Sequence, residues 1–263
     1  MSMRTIINTC GARNHFGYYD AKAREIVLRH PYTKKSDVED VYLWIEDTED
    51  LRKLSIGIGA VENFVLQDNG DTLYGAARTV IKQNIMQAQI LDNEILKNLL
   101  MRLKTKKQLR NLGIKGYIFE NDPALFNELL QTISSVKSLV YLDLNGCFFT
   151  DEQLISLAEV LSTSHIAHLI WPEARLTELV IRSCLMKLKN NRSIVIMRGA
   201  PLEFQDVAKA NRSWLFNLVH LPSLITEEEK AIIKEYADSY RLGLAYEKQR
   251  FFDLEKSVEA ILA

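Results

Sequence analysis

Three cysteines and a closely spaced histidine pair are the residues of this 263-residue chain best suited by type to nucleophilic or metal chemistry: Cys10, Cys147, Cys184, His165 and His168. A cysteine reacts or ligates as its thiolate, which needs a neighbouring imidazole, cation or helix N-terminus. No such context is legible around Cys10 or Cys184, and none of the three belongs to a C-x-x-C pair, so neither a disulfide framework nor a zinc site is expected. His165 and His168 have the i, i+3 spacing that two ligands on one helix would use. They straddle an expected strand start instead, and no third ligand stands at a suitable distance. Gly57-Ile-Gly59 lacks the third glycine and the strand-to-helix context of a dinucleotide loop. The basic run 104–107 is expected to be a solvated helix end, where cations complement the dipole. No enzyme activity, cofactor, metal or small-molecule substrate is therefore expected.

The elements that must position side chains follow from a repetition. Seven times between Val38 and Gly199 the chain approximates Leu-x-x-Leu-x-Leu-x-x-Asn. The clearest copies use Val61, Phe64, Leu66 and Asn69; Ile85, Ala88, Ile90 and Asn93; and Leu139, Leu142, Leu144 and Cys147. Weaker copies start at Val38, Leu109 and Ile166, and a poor one lies near Arg192. Successive starts are 23, 24, 24, 30, 27 and about 26 residues apart, all but the 30 within the roughly 20 to 29 residues of repeats built from one strand and a helical return.

Side chains alternate across a strand, so pattern positions four and six point into a core and positions three, five and seven point away from it. Between strands, apolar residues recur at helical intervals, as in Leu154, Leu157 and Leu161. Thr150 with Gln153 reads as a capping box. Further helices are expected near 71–82, 94–106, 122–134 and 175–189, which makes the strands parallel. Strands about 4.8 Å apart beside helices about 8 to 10 Å apart favour a curved stack with the sheet inside. The fold class expected is α/β, a leucine-rich repeat solenoid with a curved parallel sheet inside, helices outside and a helical C-terminal cap.

The unit 139–161 resembles the ribonuclease-inhibitor type of leucine-rich repeat, on its Leu-x-x-Leu-x-Leu-x-x-Cys strand followed by Leu154, Leu157 and Leu161. The resemblance extends over 38–200 and weakens at both ends. Members of that family are protein-binding horseshoes, which implies a concave binding face. It also implies that Cys147, at the consensus Asn or Cys position, turns inward to bond the loop backbone, with Asn69 and Asn93 doing the same in their units. The short, irregular array also resembles the leucine-rich repeat effectors that some intracellular bacteria deliver into host cells.

Three segments are expected: an N-terminal cap over 1–37, the repeats over 38–200, and a helical cap or docking module over 201–263. Open stacks need such caps because their terminal repeats expose apolar surface. The last segment carries helical periodicity through Phe204, Val207, Trp214, Leu215 and Leu218, and a second helix opens at Thr226 with Glu229 as its capping-box partner.

The binding residues expected on the inner face are Asp40, Asn63, Gln87, Tyr141 and His168 at position three, Tyr42, Gln89 and Asp143 at position five, and Trp44, Gln67, Lys115 and Asn145 at position seven. Amide, acidic and aromatic side chains suit a protein interface, with Tyr42, Trp44 and Tyr141 as anchors. Asp68, Asp92, Asp143 and Glu173 fall at strand ends as an acidic rim or as solvated loop carboxylates. The 33 basic and 34 acidic residues leave a net charge of −1, so there is no global field for nucleic acid or an anionic membrane surface. No stretch approaches the roughly 20 apolar residues of a membrane span, and the start lacks a secretory apolar run. A cytoplasmic protein, or one translocated into a host cell without a cleaved signal peptide, is expected.

The function these features favour is non-enzymatic binding of a folded protein through the concave face, in its concrete form the inhibition of an enzyme by covering its active site. The alternative is a substrate-recruiting adaptor that docks to an enzyme or ligase complex through the C-terminal helices.

Overall fold

In the computed structural model, residues 12–14, 17–28, 35–57, 92–172, 176–220 and 225–245 are described. Eight strands form one open sheet in sequence order: β1 (Ala12–Arg13), β2 (Gly17–Asp20), β3 (Glu25–Leu28), β4 (Lys53–Ile56), β5 (Asn111–Ile114), β6 (Tyr141–Asp143), β7 (His168–Ile170) and β8 (Ile196–Arg198). The first three pair antiparallel, and β3 through β8 pair parallel.

Helices α1 (Lys35–Asp47), α2 (Asn93–Leu103), α3 (Pro123–Ser135), α4 (Asp151–Ser162) and α5 (Glu178–Leu188) lie between strands, followed by α6 (Leu202–His220) and α7 (Glu227–Ala245). Each of α1 to α5 packs on the next, in chain order. Crossovers of one hand between successive parallel neighbours put the returning helices on one side of the sheet.

The parallel pairing stacks equivalent residues into columns. Ile26, Leu54, Leu112, Leu142, Leu169 and Met197 stand in one row, and every one is buried. With Leu28, Ile56, Ile114, Leu144 and Trp171 they meet the buried helix residues in one core that includes Leu99, Leu129, Leu157, Cys184 and Phe204. Units 109–119 and 139–149 pair in register and share the same turn. Gly116 and Gly146, at φ 70° and 68°, make the same left-handed turn that side chains with a Cβ disfavour. Phe119 then stacks on Phe149, with centroids 4.8 Å apart and planes 4° from parallel.

Helix starts are set by side chains that accept orphan backbone N–H groups. Asp92 accepts from Ile95 N, Asp122 from Leu125 N and Thr177 from Val180 N. The capping boxes at Thr150 with Gln153 and at Thr226 with Glu229 both form. The helices expected near 94–106, 122–134 and 175–189 correspond to α2, α3 and α5.

Several expectations are corrected. Val38 opens no strand: Val38, Val41, Trp44 and Ile45 are buried along α1, while Leu43, which a strand copy would bury, is 41% exposed. The copy that forms a strand starts at Leu51, with Leu54 and Ile56 at positions four and six, all buried. Copies at Val61 and Ile85 lie outside the described residues; among the described strands β4 pairs directly with β5. The last copy, expected near Arg192, runs from Ile194, with Met197 at position four and both residues in the core. The run 104–107 is not a solvated helix end. Lys106 is buried, and its Nζ donates to the carbonyl oxygens of Glu46 and Thr48 at 3.4 and 3.1 Å, closing the C-terminal end of α1. Lys104 pairs with Glu128 of α3.

The C-terminal helices take two different positions. Phe204 and Ala208 of α6 extend the main core, Phe204 meeting Trp171 edge-on. Leu215, with Ile233 and Tyr240 of α7, forms a separate cluster with Val140, Ala167, Val195 and Ile196. Val140, Ala167 and Val195 each precede a strand, so α7 lies across the starts of β6, β7 and β8. The Tyr240 hydroxyl donates to Arg192 O at 2.6 Å.

Candidate partner-binding surface

The sheet face turned away from the main core is built by two further columns. Glu25, Lys53, Asn111, Tyr141, His168 and Ile196 form one, and Val27, Ser55, Gly113, Asp143, Ile170 and Arg198 the other. Between β3 and β6 these residues, with Gly57 and Lys115, line a pocket of about 470 Å³. Its floor is low because Ser55 and Gly113 sit side by side. A Cβ on Gly113 would find no atom nearer than 3.8 Å, so the glycine leaves space there rather than relieving a clash.

Two ion pairs flank the floor. Lys53 Nζ is 2.7 Å from Glu25 Oε1, and Lys115 Nζ is 3.0 Å from Asp143 Oδ2. The Asp143 carboxylate is almost fully buried and also accepts from Asn145 N at 3.0 Å. Gly57 holds Lys115 in place by close approach, since a Cβ there would lie 2.6 Å from Lys115 Cβ. Tyr141 forms the far wall, half-buried, with His168 edge-on behind it at 4.7 Å between centroids.

The expected site residues divide into three groups. Lys115, Tyr141, Asp143, Asn145 and His168 lie together on this face or at its rim, with His168 and Asp143 buried. Asp40, Tyr42 and Trp44 do not belong to it, because α1 carries them. Asp40 accepts from Asn14 Nδ2, and Tyr42 lies beneath the Arg102 guanidinium, 4.2 Å from its carbon. Trp44 is a core residue. Asn63, Gln67, Gln87 and Gln89 lie outside the described residues, as do Asp68 and Glu173. Asp92 caps α2.

Glu25, Lys53 and Ser55 were not expected in the site. The signal for Lys53 and Ser55 was present in Leu51-x-x-Leu54-x-Ile56. Glu25 carried none, since it joins the sheet from a hairpin outside the repeat pattern.

The thiols are structural in geometry. Cys147 is fully buried, its Sγ donates to Ile114 O at 3.1 Å, and burial pushes its pKa up to about 12. Burial likewise raises Cys184 to about 11, so both are neutral thiols near neutral pH and poor nucleophiles. Cys10 lies outside the described residues. Among the described residues no group of three or more His, Cys, Asp or Glu is placed to hold a metal ion, and no helix is long and apolar enough to cross a membrane.

The arrangement suits recognition of a shaped polar surface. Each cation on the floor already faces a carboxylate, so the pocket has little net attraction for a phosphate backbone. An incoming group must fit between the pairs or exchange for one partner, which rewards complementary shape and charge. No protein-family model matches the chain, and no curated protein matches it.

Proposed function

We propose that this chain is a leucine-rich repeat protein that binds a folded protein partner on the sheet face between β3 and β6. The observation that carries the reading is the pocket over Ser55 and Gly113, walled by Tyr141 and flanked by the Glu25–Lys53 and Lys115–Asp143 pairs. The repeated unit supports it from another side: 109–119 and 139–149 share register, glycine turn and stacked phenylalanines. In this reading a partner loop enters the pocket, Tyr141 supplies the large amphipathic contact, and the ion pairs fix orientation. The role is non-enzymatic: a preformed face loses little freedom on binding and acts by covering what it holds, an enzyme's active site in the concrete case. The adaptor alternative rests on a smaller surface: Leu215, Ile233 and Tyr240 of α6 and α7 are consumed inside the fold, while Leu202 and Phe216 of α6 remain exposed.

The test uses two variants of the full chain as bait in affinity capture with mass spectrometry, each checked by circular dichroism. Gly113→Trp fills the pocket, and Tyr141→Ala removes its wall. A stoichiometric partner held by the natural chain and lost by both variants is the expected result. A partner retained equally by both variants would refute the assignment.

A further inference from the structure

A further column of residues stands at the starts of the parallel strands, one place before the row that begins at Glu25. Arg24, Arg52, Arg110, Val140, Ala167 and Val195 compose it, and from Arg52 onward each backbone N–H donates to the carbonyl oxygen of the residue before, at 2.8 to 2.9 Å. Over β6 to β8 the column is apolar, and Val140, Ala167 and Val195 pack with Ile233 and Tyr240 of α7. Over β3 to β5 it is three arginines, of which Arg52 is exposed and Arg110 half-buried.

Arg24 is held inside the fold by the Tyr19 hydroxyl and Asp50. Arg52 and Arg110 are joined instead by Lys107 and Lys137, both exposed. These lysines stand in equivalent turns, closed by Leu109 N–H on Lys106 O and by Leu139 N–H on Val136 O. Among the described residues none of Arg52, Lys107, Arg110 and Lys137 forms an ion pair. Neighbouring carboxylates are occupied elsewhere: Glu25 by Lys53, Glu46 by Arg102 and Glu128 by Lys104. Asp47 and Glu49 face Lys106 at one end of the strip, and Glu235 of α7 lies 4.0 Å from His165 at the other. Like charges on neighbouring strands repel, so four unpaired cations over β4 to β6 destabilise the edge until an anion meets them.

We propose that this strip binds a short acidic segment of a partner protein. Its size and surroundings choose among anions. From β4 to β6 is two strand spacings, about 10 Å, the length of two helical turns. That is too few cations for a nucleic-acid backbone, whose binding rests on many phosphates neutralised at once. No aromatic residue stands in 105–110 or 135–140, so a single strand finds no stacking platform. The exposed large apolar residues lie on α1, α2, α5 and α6, so nothing on the strip enters a membrane. Carboxylates suit it, since a guanidinium takes them in two parallel hydrogen bonds. Arg52 and Arg110 each precede a residue of the pocket between β3 and β6, Lys53 and Asn111. The strip nevertheless uses charges of its own, and its failure would leave the reading of that pocket untouched.

The probe is a fluorescein-labelled Gly-Glu-Glu-Asp-Glu-Glu-Gly peptide, titrated into the full chain by anisotropy at low salt. Saturable binding is expected, weakening as salt rises. Arg52→Gln with Arg110→Gln, and separately Lys107→Gln with Lys137→Gln, should each weaken it about fivefold or more without lowering the urea midpoint. Arg182→Gln with Lys209→Gln removes the same charge from α5 and α6 and should bind as the natural chain does. Unchanged affinity in both strip variants, or an equal loss in the α5 and α6 variant, would overturn the strip as the site. A urea midpoint lowered in both strip variants would give these cations a structural role and overturn the reading. Tighter binding of a hexanucleotide single strand or of phosphatidylserine vesicles would overturn the choice of a protein segment. Absence of saturable binding would overturn the proposal outright.

Discussion

Tyr240 is the residue on which the docking of α7 most depends, and its removal should release that helix while the sheet stays folded. The ring is fully buried, its hydroxyl donates to Arg192 O at 2.6 Å, and it shares a small cluster with Ile233, Leu215, Val140, Ala167 and Val195. That cluster is distinct from the main core, so the loss is local. Truncating a buried aromatic to alanine costs about 3 to 5 kcal/mol, whereas deleting the hydroxyl alone removes one hydrogen bond of about 1 kcal/mol. Tyr240→Phe should raise the opening equilibrium of α7 about fivefold, and Tyr240→Ala by more than about a hundredfold, at 1.4 kcal/mol per factor of ten. Hydrogen exchange read by mass spectrometry reports this, comparing peptides from 227–241 with peptides from β5 and β6. Faster exchange confined to α7, graded from Phe to Ala, is expected. Equal acceleration in β5 and β6 would show one cooperative unit and refute the separation. Identical exchange in the two variants would refute the packing share, and natural-chain exchange in Tyr240→Phe would refute the hydrogen-bond share.

Other consequences are as specific. Leu142→Ala, at a fully buried central position, should destabilise by about 3 to 5 kcal/mol in urea unfolding, and a loss below about 1 kcal/mol would contradict the column packing. Lys106→Met keeps the stem but removes a charged donor from the carbonyls of Glu46 and Thr48. A loss of about 2 kcal/mol is expected, and an unchanged midpoint would show that α1 ends without it. Stability should also fall in mild acid through His165, which packs against Tyr236 at 5.0 Å. Burial and Lys137 hold its pKa below the ordinary imidazole value, with Glu235 opposing them. The unfolded chain then takes up the proton first. The contribution is full above about pH 6.5 and is lost as pH falls toward the folded pKa. His165→Gln should flatten that part of the profile, and an unaltered profile would remove His165 as its cause.

Legibility in the sequence varied with how local the determining forces were. Unit 139–161 was readable because its strand pattern, capping box and helical stripe sit in one continuous stretch, and each later formed. The start misled because α1 buries Val38 and Val41 at a spacing that strand and helix patterns share. Trp44 and Ile45 follow as a helix demands, while the true strand from Leu51 was masked by Arg52 and Lys53 at its solvent-facing start. That displacement also moved the anchors: Tyr42 and Trp44 went to the helix layer, and Lys53 and Ser55 took their place on the sheet face. The position of α7 was not readable. It depends on Val140, Ala167 and Val195, which are remote in sequence and lie together only once the strands align.

The central claim, that the face between β3 and β6 receives a folded protein, is tested most directly by placing a photo-crosslinking benzoylphenylalanine at Ser55, Tyr141 or Leu179. The first two positions line the pocket, and Leu179 is 74% exposed on α5. Irradiated in lysate of the cells in which the protein acts, the Ser55 and Tyr141 probes should attach to the same single protein, and the Leu179 probe should not. Attachment of that protein from Leu179 alone would contradict the assignment of the sheet face.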